Sequence, residues 1–265
     1  MYRFRAEGPM EQFEILPIVD LHLGSIDISL TNSALWMLIG TGAIILFFFA
    51  ATRRTALIPS RVQSTAEVIY EFVADLVRDS IGPEGRKFFP YVFTLFIWVL
   101  ISNLFGLLPT IPIPGLPHWL HTFTPTSHLI VTLALAMLTI TIVIVYGFYK
   151  NGLGFFKLFA PSGLPIYMYI LLVPIEVVSF LSRPLSLAIR LFANMFAGHI
   201  ILKLFAGFVG SLLTAGGAIA VISLVPFLGA VAVTALEFLV AALQAYVFAV
   251  LTCIYLNDAV HAADH

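Results

Sequence analysis

Residues 182–199 read S-R-P-L-S-L-A-I-R-L-F-A-N-M-F-A-G-H, within a run, 166–208, that has no clear polar loop. If helical, those 43 residues reach about 65 Å, roughly twice the hydrocarbon core of a bilayer. Residues 221–257 pose the same problem at about 55 Å. Tilt alone would need about 60° in the first run, against a usual range of about 0–40°. The reading is two long, steeply tilted helices forming a hairpin, joined by the Gly-rich turn Gly207–Gly217 and bent near Pro174, Pro184 and Pro226. Several short upright helices with re-entrant breaks are the alternative. In the middle of the first run stands Arg190, which keeps its proton at any physiological pH. Holding it at bilayer depth costs between ~3 and ~15 kcal/mol, depending on the reference state. Ala188, Ala193, Ala197 and Gly198 around it would let another helix come close. Together they suggest a fixed cation facing a partner that carries mobile negative charge.

The rest of the chain agrees with a membrane setting. Of 265 residues, 60% are hydrophobic and 10% charged, where soluble domains carry roughly 25% charged residues. A net charge of −1 gives no electrostatic footprint for nucleic acid. The single cysteine, Cys253, excludes an intrachain disulfide. The first residues lack the apolar core of a signal peptide and are too acidic for a transit peptide, so the first span is expected to insert uncleaved. Residues 1–32 read as an irregular or amphipathic outer lead-in, and 33–51 as a first span. Residues 60–81 alternate apolar and charged positions at helical spacing, with Ser64-x-x-Glu67 as a capping box and Gly82-Pro83 as the stop. This is an amphipathic helix, lying on the membrane surface, docking a partner or packed on its own chain. Residues 88–108 and 126–148 are two further spans. His118-x-x-His121 in the Pro-rich loop between them has no other ligand type nearby, so no metal is expected. Loop 52–87 holds six Lys/Arg, loop 149–165 two and loop 109–125 none, which predicts an outer N-terminus and a cytoplasmic or matrix-side C-terminus.

The last third gathers Glu176, Arg183, Arg190, Asn194, His199, Lys203, Glu237 and Gln244. Glu176, Arg183 and Arg190 are seven apart and share a helix face, with Asn194 one turn beyond. His199, nine residues from Arg190, falls on the opposite face, and Glu237 and Gln244 share a face of the last helix. Two polar surfaces separated by an arginine suit proton movement in two half-paths. Glu and His exchange protons, whereas arginine blocks a continuous wire and attracts a carboxylate. Blander readings stand beside this one. Arg190 can pair with Glu176 or Glu237 as a structural bridge, Arg183 and Lys203 are expected to snorkel, and Asn194 and Gln244 can be helix–helix glue.

The run P-L-S-L-A-I-R-L-F-A-N-M-F-A-G-H, with L-E-F-L-V-A-A-L-Q-A-Y-V-F-A-V-L-T-C-I-Y-L downstream, resembles subunit a of the F-type ATP synthase. E-Q-F-E near the start, N-L-F-G-L-L-P at 103–109 and P-S-G at 161–163 extend the likeness over most of the chain. The resemblance implies an all-α polytopic membrane stator without cofactor, metal or bond chemistry. Its partners would be a ring of c subunits, the peripheral-stalk b subunits, other synthase subunits, lipid and protons. The setting would be a bacterial inner membrane, with the mitochondrial one as alternative. Arg190 matches the family's arginine that faces the ring and separates two proton half-channels, and Gln244 the polar residue beside it. His199 and Glu237 match the pair lining the outer half-channel, Glu176 an acid of the inner one, and Asn194 a position near that path. Asn103 and Tyr255 match further polar positions. The order His199/Glu237 is swapped relative to many bacterial relatives, Ala193 replaces a glycine, and Gly106 stands where some carry aspartate. Asp20, His22, His118 and His121 are left to line the outer mouth. The rival class is a self-contained secondary transporter or ion channel, for which no internal repeat speaks. A purely structural anchor is the third option.

Overall fold

The computed structural model describes residues 17–19, 22–23, 26–27, 29–53, 58–107, 124–159 and 166–262. Asp20, His118, His121 and the P-S-G motif at 161–163 lie outside them, and His22 is described by its backbone alone. Within the expected irregular or amphipathic lead-in, the described residues hold short strands. Four short strands, β1 (Pro17–Val19), β2 (His22–Leu23), β3 (Ile26–Asp27) and β4 (Leu30–Thr31), form two antiparallel pairs, β1 with β4 and β2 with β3. The reason is legible afterwards. Leu21, Leu23, Ile26, Ile28 and Leu30 alternate with His22, Asp27 and Ser29 around Gly24-Ser25, the composition of a tight hairpin connection.

Seven helices follow among the described residues: α1 (Asn32–Thr52), α2 (Arg61–Ile81), α3 (Phe89–Gly106), α4 (Leu129–Asn151), α5 (Ile166–Ala215), α6 (Gly217–Ile222) and α7 (Leu224–Val260). Short 3₁₀ turns precede α3 (Pro83–Lys87) and α4 (Pro125–Ser127) and follow α4 (Gly152–Leu158). Five helical stretches are long and apolar enough to cross a membrane: Asn32–Thr52, Phe89–Gly106, Leu129–Asn151, Tyr167–Ala215 and Ile219–Val260. Large apolar side chains such as Leu46, Ile130, Ile170 and Val225 are exposed along them, as a lipid-facing surface requires.

The expected turn Gly207–Gly217 is corrected. Helix α5 runs straight through Gly207 and Gly210, and the chain turns only at Gly216 and Gly217, with φ of +70° and +60°. In hydrocarbon an unpaired peptide group has no water to satisfy it, so an apolar run with single glycines stays helical. At 50 residues α5 is about 75 Å long. Pro174 and Pro184 lie inside it without ending it. A break does occur at Ser223, between α6 and α7. Pro226 has no N–H to offer the Ile222 carbonyl, so the ladder lapses there, while Phe227 still donates to Ser223 O at 3.1 Å.

Helix α2 starts one turn earlier than the Ser64 box implies. Ser60, extended at φ −67° and ψ 163°, accepts the Gln63 N–H on Oγ at 3.3 Å. Gln63 in turn donates from Nε2 to Glu67 at 2.8 Å. Gly82, at φ +79°, closes the helix by donating to Arg78 O. Ala66, Val73, Val77 and Ile81 form its buried stripe, so the helix packs on its own chain.

The described residues divide into two compact units. Unit one comprises residues 1–43, 100–128 and 192–243; unit two comprises 44–99, 129–191 and 244–265. In unit one the Trp36 and Phe105 rings meet edge-on at 6.3 Å, and a Cβ on Gly229 would stand 3.1 Å from Phe205. In unit two α2 packs on α3 through Tyr70–Phe89 and Phe72–Phe96. Tyr91 and Thr139 share a 2.8 Å hydrogen bond between α3 and α4, Lys150 pairs with Glu84 at 2.7 Å, and Asn151 donates to Ala259 O at 2.7 Å.

Candidate functional site

Arg190 is exposed on α5, while Leu187, Ala188 and Leu191 beside it are buried. Among the described residues it makes no hydrogen bond or ion pair. Among the described residues the structural bridge to Glu176 is therefore absent. Glu176 lies 3.5 Å from Arg183, and among the described residues neither carboxylate oxygen of Glu237 has a hydrogen-bond partner. Asn194 is also exposed, and Gln244 is buried on α7.

Unit two assembles a charged group around Arg183. Its guanidinium donates to Asp258 at 2.9 Å, reaches Glu176 at 3.5 Å, and stands 5.4 Å from the centre of the Tyr255 ring and 5.9 Å from that of Phe180. Two carboxylates and an aromatic face hold Arg183 in place. Sequence reasoning missed Asp258, which closes the group. Its one signal was position, three residues after Tyr255 at the end of the last apolar run.

Unit one assembles a second group. Thr124, before the turn into α4, shares a 2.9 Å hydrogen bond from Oγ1 with Nε2 of His199 on α5. Glu237 of α7 lies against Gly198, so closely that a Cβ there would collide with Oε1. Both carboxylate oxygens are shielded from solvent. Asn103 of α3 is buried, donating to Ala241 O of α7 at 3.3 Å and accepting from Thr126 Oγ1 at 2.8 Å. Its amide is a strut between elements. Thr124 and Thr126 also went unnoticed in the sequence; the run T-F-T-P-T-S was the only sign.

Residues 34–257 match the ATP synthase A chain family. The chain is 57% identical over 260 residues to ATP synthase subunit a of Hyphomonas neptunium, covering 98% of each sequence. It is 54% identical over 255 residues to that of Maricaulis maris, covering 96% of this chain and 97% of the other. With that of Mesorhizobium japonicum it shares 54% over 253 residues, 96% of each. The chain belongs to the ATP synthase A chain family. Membership makes it a stator component of the F-type ATP synthase membrane sector, working with the other synthase subunits.

For an ATP synthase A chain the chemistry these groups offer is proton exchange. Among the described residues no three His, Cys, Asp or Glu side chains cluster as metal ligands. One group offers an imidazole, a hydroxyl and a shielded carboxylate; the other offers two carboxylates held by a guanidinium. Arg190 belongs to neither pairing.

Proposed function

We propose that the chain provides two offset proton half-paths against a ring of c subunits and so couples proton flow to ring rotation and ATP synthesis. The observation that carries this is Arg190, exposed and without an ion pair among the described residues, in the middle of a 50-residue apolar helix. A charge so placed calls for a counter-ion from another chain, since leaving it alone costs several kcal/mol. A mobile carboxylate on a ring supplies one. Arg190 draws the carboxylate into its ionised form, with Gln244 and Asn194 as polar neighbours, and separates the two half-paths because it does not release its own proton.

The proton enters from the outer side past Glu237 and His199 and neutralises a ring carboxylate, which can then face lipid. After nearly a full turn the carboxylate meets Arg190 and gives up its proton toward Glu176, with Tyr255 beside that exit. Each charge crossing the field gains about 2.3 kcal/mol per 100 mV, so several protons are needed per ATP. Helices α5 and α7 lie steeply tilted as a hairpin along the ring. The N-terminus is outside and the C-terminus on the side of the catalytic head, in a bacterial inner membrane, with peripheral-stalk b subunits and lipid as further neighbours. The chain itself makes and breaks no covalent bond in a substrate.

The test is ATP-driven proton pumping in vesicles holding the whole complex, wild type against Arg190→Ala. Coupled pumping should disappear while assembled complex remains. Pumping that survives would make Arg190 structural. Transport by the isolated chain without a ring would favour a self-contained transporter.

A further inference from the structure

We infer that Thr124 is a positioning residue of the entry half-path: its hydroxyl fixes the His199 imidazole through Nε2, in space that the absence of a side chain at Gly106 leaves open. The inference rests on the proposed role of His199 as a proton carrier.

The geometry begins with the segment Thr124–Ser127. All four residues are buried, an unusual density of hydroxyls for a loop entering a membrane helix. Two of the three hydroxyls are turned to structural work. Ser127 Oγ donates to Thr124 O at 2.6 Å, and Thr126 Oγ1 donates to Asn103 Oδ1 at 2.8 Å. The Ser127 N–H also donates to Thr124 O, at 3.0 Å. Through Asn103, which donates to Ala241 O, the turn is tied to both α3 and α7. The third hydroxyl, on Thr124, is thus held on a rigid base, and it meets the imidazole at 2.9 Å.

Gly106 explains how Thr124 fits. A Cβ at that position would collide with Thr124 Oγ1 and stand 2.7 Å from its Cγ2. Any larger residue at 106 would displace the threonine from the ring. The glycine and the threonine therefore act as one unit, with the hydroxyl occupying the volume a side chain at 106 would fill.

A hydroxyl both donates and accepts, so it holds Nε2 whichever ring nitrogen carries the proton. A methyl group in its place would remove this bond to Nε2. Among the described residues, Lys203, one turn on along α5, acts electrostatically on the imidazole, and Glu237 of α7 is packed against the adjacent Gly198. A bond at Nε2 holds that nitrogen at a fixed place beside the rigid Thr124–Ser127 turn.

The experiment uses membranes containing the whole complex, with the catalytic head stripped to read passive proton conductance per assembled complex. It compares wild type, Thr124→Val, Thr124→Ser and His199→Ala. Valine keeps the shape and removes the hydroxyl; serine keeps the hydroxyl. Conductance should fall about tenfold in Thr124→Val, the scale of one lost hydrogen bond, and stay within about twofold in Thr124→Ser. The pH of half-maximal conductance should move by about half to one unit in the valine variant alone. If valine and serine are equally impaired, or valine conducts like wild type with an unmoved pH profile, the inference is overturned. If valine does not assemble, Thr124→Ala replaces it. Failure of both to assemble while serine assembles makes the hydroxyl structural, which also overturns the inference. Normal conductance in His199→Ala would instead defeat the entry-path reading, independently of Thr124.

Discussion

The replacement Gly198→Ala separates what the α5–α7 contact does for stability from what it does for transport. An added Cβ would collide with Glu237 Oε1, stand 2.8 Å from Cδ and 3.2 Å from Cγ. None of these atoms belongs to the backbone, so the strain is relieved by swinging the Glu237 side chain aside. Overpacking of a rigid core costs ~1–3 kcal/mol, and a flexible carboxylate places this case near the lower bound. Restoring ordinary contact at Cδ requires a shift of about 1 Å, and displacement of a reacting group by that much can cost about 10²-fold in rate. The expected outcome is nearly normal assembly with proton conductance reduced by one to two orders of magnitude. Conductance is read in head-stripped membranes, and assembly from the yield of detergent-extracted complex. Shortening the acid, as in Gly198→Ala combined with Glu237→Asp, should recover part of the loss. Normal conductance in Gly198→Ala at normal assembly would refute the reasoning, because the carboxylate's seat on Gly198 would then be irrelevant to transport.

Arg183→Ala leaves Glu176 and Asp258 without their shared cation, and the yield of assembled complex should fall. Asp258→Asn in the same background should restore part of it. Asn103→Leu removes both amide bonds and strands the buried Thr126 hydroxyl, which should cost ~1–3 kcal/mol, read as a lower melting temperature of the purified complex. At the solvent-exposed end of α4, the Lys150 ammonium bound to Glu84 holds that carboxyl below its ordinary value of 4.5. A depressed carboxyl contributes stability above its unfolded value and loses it as pH falls through the folded one. Melting temperatures taken from pH 6 downward should therefore show a small acid-side loss below 4.5 that Lys150→Met reduces.

How much of this could be read from the chain depends on the range of the interactions. Hydropathy and length announce the membrane helices, because each satisfies its own backbone and needs only local sequence. The β pairs before α1 were overlooked because strands of two or three residues give the alternating pattern little room. Gly207 and Gly210 misled for a different reason: glycine breaks helices in water, where the freed peptide is solvated, and not in hydrocarbon. Arg190 was legible as an oddity of residue type in its surroundings. The partners of Arg183 and His199 were not, since Asp258 and Thr124 each lie 75 residues away, and no periodicity spans such a gap. Asn103 was visible as a polar residue in an apolar run, but its strut to Ala241 crosses 138 positions.

Helix α5 carries two prolines, and each removes one rung from an otherwise continuous ladder. The carbonyls of Ile170 and Phe180 lack their usual donors four residues on. A rod about 75 Å long is thereby divided into a short arm, a middle segment of residues 174–184 and a long arm that carries Arg190. The middle segment holds Arg183, whose bond to Asp258 clamps it to α7. Bending stiffness is lowest at either end of that clamped segment. Lateral load applied to the long arm is therefore taken up as elastic deflection about a fixed point near Pro184, leaving the carboxylates around Arg183 in register. The helix is compliant beyond the clamp and stiff where its charges are paired.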